Sequence, residues 1–333
     1  MQVDIQTTSI KPIRHTFSFI ARRLGADKPA SRYQEATLDM QPEVNFHYRP
    51  LWQPEYALYD KRRTAVRMAD WYAFKDPRQY YYGTYAMARA RQQDAAEKQF
   101  DFVEKRGLLA ACDEGTRALI AEVLVPLRHA EWGANMNNGY VTAYGWGAAI
   151  TQATMFATMD RLALAQMLSR IGLALDGSSG TSLAAARQQW LQAPHWQGVR
   201  RVMENLFVTR DWFELLVAQN LVLDGLLLPL AFGPVEAALN PRTGNALAMA
   251  TGFIAEWMEE HARWVDATVK TAAQESPHNA ALLSQWAQLW RDEVLCALKP
   301  LARHALGEGD GDAALEAVAR DFEARAGRIG LAL

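Results

Sequence analysis

Proline and glycine punctuation constrains this chain more than anything else, because from residue 76 onward helix caps and helix breakers divide it into long helical stretches. Asp76-Pro77 sets an N-cap residue before a proline at the first helical position. Gly107 follows Lys105-Arg106 as a stop, which predicts a helix over about 77–106. A second is expected from about Asp113 to Asn137, with Pro126 as a kink and Gly139, Gly145 and Gly147 as an interruption beyond it. A third covers about 148–175 and ends in the turn Asp176-Gly-Ser-Ser-Gly180. A short helix over about 181–191 stops before Pro194, and a long one over about 195–228 is closed by Pro229. Another spans about 243–274, with Phe253, Ile254, Trp257, His261, Trp264 and Val265 at helical spacing, and Pro277 ends it. Two more, near 279–306 and 311–327, are separated by Gly307-Glu-Gly-Asp-Gly311. No fixed-period repeat of the solenoid kind appears. The one echo, His129-Ala-Glu-Trp132 against His261-Ala-Arg-Trp264, is compatible with two helix pairs related by an internal pseudo-two-fold. The fold class is all-α.

The first segment, residues 1–75, reads differently from the helical domain expected over 76–333. It has prolines at 12, 29, 42, 50 and 54 and an aromatic cluster that includes Phe46, Tyr48, Trp52 and Tyr56. Those prolines forbid a long helix, and the aromatics are too many for a solvated tail. An extended arm lying on another surface is expected, either a partner subunit's or its own bundle's. Eleven tryptophans point the same way, to an aromatic core or to a docking surface. A net charge of -2 predicts no nucleic-acid or anionic-membrane surface. Cys112 and Cys296 are too few for a disulfide framework or a zinc site, so a cytoplasmic location is the simplest. Met1 to Phe19 has no apolar core for a signal peptide. The apolar stretch Leu221 to Phe232 is interrupted by Asp224 and Pro229 and is too short to span a bilayer.

A long helical chain invites a carboxylate-bridged metal bundle, which takes a Glu-x-x-His pair from each of two helices. Three residues before His15, His47, His129, His195, His261 and His304 stand Pro12, Val44, Pro126, Gln192, Met258 and Leu301. Only Glu275-Ser-Pro-His278 fits the string, and its proline denies it a continuous helix face. Glu131 and Glu260 sit mid-helix beside large apolar residues, but Ala134 and Arg263 stand three positions later. Arg263 cannot ligate a metal and is placed to hold Glu260 as an i, i+3 ion pair. The plain alternative for both glutamates is a helix-face charge. Asn135, Asn137 and Asn138 read as a C-cap region, with a buried hydrogen-bonding patch at a subunit contact as the sharper alternative. His129 and His261 read as core histidines. No serine or cysteine has a nucleophile signature around it, and Gly177-Ser-Ser-Gly180 follows a helix rather than a strand, so it is no phosphate loop.

Several strings then match one family in order. They are Asp27-Lys-Pro-Ala-Ser-Arg-Tyr-Gln-Glu35, Asn45-Phe-His-Tyr-Arg-Pro-Leu-Trp52 and Pro126-Leu-Arg-His-Ala-Glu-Trp-Gly-Ala-Asn-Met-Asn-Asn138. Leu168-Ser-Arg-Ile-Gly-Leu173, Trp196-Gln-Gly198, Asp211-Trp-Phe-Glu-Leu215 and Gln219-Asn-Leu-Val-Leu-Asp-Gly-Leu226 continue it. Together they resemble the beta subunit of bacterial multicomponent phenol hydroxylases nearly end to end. Beta subunits of toluene and benzene monooxygenases, and more distantly of soluble methane monooxygenase, are similar over fewer strings.

The resemblance implies a ferritin-like, ribonucleotide-reductase-like bundle in a hydroxylase of alpha, beta and gamma subunits, arranged as a dimer of trimers. It implies that alpha holds a di-iron centre that activates O2, and that a reductase carries FAD and a 2Fe-2S cluster. A small effector protein completes a system that converts phenol to catechol with NAD(P)H and O2. This chain would then be a monooxygenase subunit without catalytic residues, cofactor or metal of its own. Glu131 and Glu260 would be surviving glutamates, with Ala134 and Arg263 where histidines would be. The rival readings are a toluene or benzene monooxygenase beta subunit, a stand-alone di-iron oxidase with unconventional ligands, and a helical adaptor.

Overall fold

A computed structural model describes residues 18–25 and 28–333, so residues 1–17 of the expected arm, His15 among them, lie outside the described residues. All regular elements among the described residues are helical. The arm contributes α1 (Ser18–Leu24) and α2 (Arg32–Thr37). The body follows with α3 (Tyr82–Lys105), α4 (Glu114–Val123), α5 (Leu127–Tyr144), α6 (Ala148–Leu175), α7 (Thr181–Gln192) and α8 (Pro194–Phe207). A continuous helical stretch, Trp212–Thr243, contains α9 (Trp212–Leu216), α10 (Asp224–Leu230) and α11 (Glu236–Leu239) joined by π-helical turns. Then come α12 (Ala246–Glu275), α13 (Pro277–Leu306) and α14 (Glu308–Arg328). The Trp212–Thr243 stretch is long and apolar enough to cross a membrane, yet 89% of its most apolar window is buried, which makes it a central core helix.

The last helix starts at Glu308, so the expected Gly307–Gly311 separator shrinks to Gly307, and four further differences from the sequence reading have a local reason. Helix α3 starts at Tyr82 rather than at residue 77, because Asp76 turns its carboxylate onto the amide and guanidinium of Arg78 and makes a tight turn instead of a cap. Pro126 divides the expected 113–137 helix in two, and α5 then runs on through the asparagines to Tyr144. The expected 195–228 helix breaks after Phe207, where Asp211 caps a new start by accepting from the amides of Phe213 and Glu214. Pro229 does not end that second piece. The π turns on either side of it, one containing Pro234, carry the helix on to Thr243.

The end of the arm is built into the body. Val66, Trp71 and Phe74 are buried, with Trp71 against Trp212 and Phe74 against Phe213. Side chains of the body satisfy its irregular backbone: Asp211 accepts from the Ala65 amide, Asn279 exchanges two bonds with Arg67, and Glu275 accepts from Ala69. Farther up the arm the picture reverses. Val44, Tyr48, Leu51 and Trp52 are exposed, while Phe46 and Tyr56 are partly covered by Tyr59 and by Arg62 and Arg63.

Helices α8 and α13 approach so closely at Gly198 that an added Cβ would lie 2.8 Å from the Ala297 Cα and 2.9 Å from its carbonyl oxygen. Backbone cannot yield as a side-chain tip can. Gly198→Ala should therefore lower stability by about 1–3 kcal/mol, read as a lower urea midpoint at unchanged slope.

Candidate functional site

Four helices converge on one buried ionic cluster, and each contributes one side chain. Glu131 comes from α5, Arg161 from α6, Asp224 from the first turn of α10 and His261 from α12. Arg161 is fully buried. Its Nη1 donates to the Glu131 carboxylate at 3.0 and 3.3 Å, and its Nη2 donates to Asp224. His261 Nε2 lies 3.4 Å from Arg161 Nη2 and 3.6 Å from Asp224 Oδ2. A guanidinium has no acceptor, so the nearby imidazole nitrogen takes the accepting role. The Trp257 ring covers the guanidinium at 4.6 Å and stacks on His261 at 4.7 Å. Behind Asp224 a polar relay leads outward. Gln219 donates to Asp224 Oδ1 at 2.9 Å, and Asn137 donates to the Gln219 carbonyl at 2.8 Å.

One guanidinium faces two carboxylates in a dry interior, and the protonation states divide accordingly. Burial pushes Glu131 up to about 7 despite the opposing Arg161 charge, and neighbouring Asp224 adds to the rise. Burial works against ionisation of Asp224 too, but the Arg161 charge, with the Gln219 amide donating beside it, outweighs it and holds Asp224 below the usual carboxylate value. Burial pushes His261 down to about 4, so it is neutral beside the guanidinium.

A second network lies one layer out. Arg89 of α3 forks onto Asp160 of α6 at 2.6 and 2.7 Å and onto Glu260 of α12 at 2.8 Å. Glu260 also takes bonds from Arg78 and Tyr80, and Asp160 from Tyr85 and the Trp257 indole N–H. Trp257 thus touches both networks, by its edge on one side and its face on the other.

The proposed vestigial positions fare unequally. Glu131 is inside the four-helix cluster and Ala134 is buried one turn away. Glu260 belongs to the outer network. Arg263 is exposed, and the partners of Glu260 are Arg89, Arg78 and Tyr80, so the expected Glu260–Arg263 pair is replaced by partners from outside α12. The asparagines are a hydrogen-bonding patch within the chain rather than the C-cap region expected. Asn135 donates to the Thr158 carbonyl, Asn137 to Gln219 and Asn138 to the Ala134 carbonyl, all within a continuing helix rather than at a C-cap. Arg161 and Asp224 were missed. The available signal was isolation: Asp224 is the single charge between Glu214 and Glu236 in an apolar run. A lone charge inside such a run must be paired.

Among the described residues no group of three or more His, Cys, Asp and Glu side chains is disposed to hold a metal ion. The cluster has one imidazole and two carboxylates, and its centre is taken by a cation that cannot be a ligand. The di-iron group of the resembled family does not fit these residues, and nothing in the cluster offers a nucleophile or an open coordination position.

The outer faces of α5 and α6 carry a different kind of feature. Between Glu131 and Asp160 no residue is charged, although the stretch covers most of one helix and the start of another. Trp132, Met136, Met155, Met159, Leu162 and, at the end of α8, Phe207 are 39–53% exposed there. A groove of about 450 Å³ runs between Trp132, Met136, Tyr140, Thr158 and Phe207.

The comparisons with known proteins agree with this architecture. Residues 52–276 match the family model described as methane/phenol/alkene hydroxylase. The chain is 48% identical to the phenol 2-monooxygenase oxygenase component DmpL of Pseudomonas sp. (strain CF600), over 99% of this chain and 98% of that one. It is 27% identical to the beta subunit of the toluene-4-monooxygenase hydroxylase component of Ectopseudomonas mendocina, over 72% and 73% of the two chains. A chain of the xenon-pressurized phenol hydroxylase from Pseudomonas sp. OX1 matches the fold with a TM-score of 0.93 at 41% identity, covering 99% of each. With a ferritin-like bundle whose interior is closed by Arg161, the chain belongs to the methane/phenol/alkene hydroxylase family.

Proposed function

We propose that this chain is the non-catalytic beta subunit of a multicomponent phenol hydroxylase, and that it braces a di-iron alpha subunit that carries out the hydroxylation. The observation that carries this reading is the pairing of a sealed interior with an uncharged exterior. The buried cluster spends the four-helix centre on an arginine, so the chemistry has to reside in another chain. The α5–α6 face lacks the charges that a solvated helix pair carries and has the tryptophan and methionine enrichment of an interface core. Its match to a phenol 2-monooxygenase component, at far higher identity and coverage than to the toluene-4-monooxygenase subunit, favours phenol over toluene as the substrate of the whole complex.

In this arrangement alpha covers the α5–α6 face, and the exposed part of the arm, with Tyr48 and Trp52, reaches onto a neighbouring alpha or gamma subunit. FAD and the 2Fe-2S cluster belong to the reductase component, and the effector protein meets the assembled hydroxylase. Cys112 and Cys296 are free thiols, in keeping with a cytoplasmic complex.

Charges placed on this face test the reading. Met136→Asp with Met159→Asp should reduce co-purification with alpha by at least about tenfold, since desolvating two unpaired carboxylates at an interface costs several times the ~1.4 kcal/mol that a factor of ten represents. Helicity and thermal unfolding of the chain alone should not change, because both methionines are exposed. Removal of residues 1–50 should weaken assembly in the same way. Full-yield assembly of the charged variant removes this face as the interface.

A further inference from the structure

A pocket of about 210 Å³ opens between α10, α12 and α14. Its walls are apolar, from Leu228, Pro229, Trp257 and Met258, and its base is formed by Asn220, Asp224 and His261, all three buried. Asn220 belongs to the π-helical turn Val217–Leu223 that precedes α10. Gly225 lets α14 form the far wall, since an added Cβ there would lie 3.2 Å from Phe322 and from Arg325 Nη1. We infer that this pocket binds a small neutral aromatic molecule through a single hydroxyl group, which donates to Asn220 Oδ1 and accepts from His261 Nδ1–H.

Two buried polar atoms of the base lack a partner among the described residues, and the two are complementary. His261 Nε2 accepts from Arg161, so the proton of the neutral ring sits on Nδ1, a donor with no acceptor. Asn220 spends its Nδ2 on the Leu216 carbonyl at 3.4 Å, and its Oδ1 is an acceptor with no donor. An unmade hydrogen bond in the interior is costly, and one hydroxyl serves both atoms because it donates and accepts at once. Size and charge select the rest of the molecule. A water molecule takes about 30 Å³, while a cavity of about 150 Å³ holds a benzene ring, so this pocket has room for one ring and its substituent. Its walls offer waters few partners, whereas Trp257 and Pro229 offer flat apolar surface. Asp224 is ionised beside the base and excludes carboxylates and phenolates.

The test is fluorine NMR of para-fluorophenol with the full-length chain, joined to crystals of the chain soaked in para-bromophenol. We expect one saturable site for para-fluorophenol, binding of fluorobenzene at least about tenfold weaker, and no binding of para-fluorobenzoate. Met258→Trp, which fills the pocket from its partly exposed rim, should abolish binding and leave the helicity of the chain unchanged. Asn220→Leu, which removes the acceptor, should bring para-fluorophenol down to the level of fluorobenzene. The bromine anomalous peak should lie between Pro229 and Met258. Absence of saturable binding in solution overturns the inference, even if bromine enters the soaked crystal. Equal binding of para-fluorophenol and fluorobenzene overturns it too, as does binding that survives Met258→Trp or a bromine peak found only elsewhere. If Asn220→Leu fails to fold, the fluorobenzene and Met258→Trp comparisons decide.

Discussion

Arg161→Leu is expected to destabilise the chain by about 3–5 kcal/mol, the range for breaking a buried ion pair by removing one partner. Leucine fills part of the volume but supplies no charge, and Glu131 and Asp224 then face each other across an apolar gap. The cost comes from the stranded carboxylates rather than from lost attraction. Changing the carboxylates as well should therefore recover most of it, so Arg161→Leu/Glu131→Leu/Asp224→Leu should unfold near the unsubstituted midpoint. Urea denaturation in a chelator-containing buffer measures both. If Arg161→Leu costs less than about 1 kcal/mol, as for a solvent-screened pair, the cluster is not the closed ionic core described above.

Opposed pH slopes are the second large effect. The folded pKa of Glu131, about 7, lies above its ordinary 4.5, so the folded chain keeps a proton that the unfolded chain releases. Its contribution to stability is complete below about 4.5 and is lost as pH rises through 7. For His261 the folded value of about 4 lies below the ordinary 6.5, and the unfolded chain takes up the proton first. Stability from this group is complete above 6.5 and is lost as pH falls towards 4. Across the overlap the two slopes, each about 1.4 kcal/mol per pH unit, cancel. Glu131→Gln should uncover the histidine slope, so that acidification from 6.5 to 4.5 costs about 3 kcal/mol more than in the unsubstituted chain. His261→Gln should uncover the opposite slope. Urea midpoints measured across this range settle the matter, and parallel profiles for all three proteins would sink it.

Much of the fold was legible because punctuation and periodicity are local. Helix α6 was bounded by Gly147 and the Asp176–Gly180 turn, and α13, expected over about 279–306, runs from Pro277 to Leu306 in the structure. Failures came where a residue's usual local role was overridden from a distance. Asp76 looks like a cap until Arg78 claims it, and Pro229 looks like a terminator until the π turns beside it adjust the ladder. The cluster was half legible. Glu131 stood out as a mid-helix carboxylate, but a motif search looks for residues that bind a metal, and Arg161 is a cation that binds carboxylates. Its partners are contributed by helices 30 and 63 residues away in sequence, a distance that no spacing rule spans.

The central stretch Trp212–Thr243 has a consequence for biosynthesis. It leaves the ribosome before α12, α13 and α14, which later cover it. At about 5–20 residues per second, several seconds pass in which a segment apolar enough to be mistaken for a membrane span lacks the cover of α12, α13 and α14. Asp224, the one charge inside its longest apolar run, is then still without His261, although Arg161 has already been made. The order of synthesis thus makes Arg161, and not His261, the first of the two partners available to Asp224.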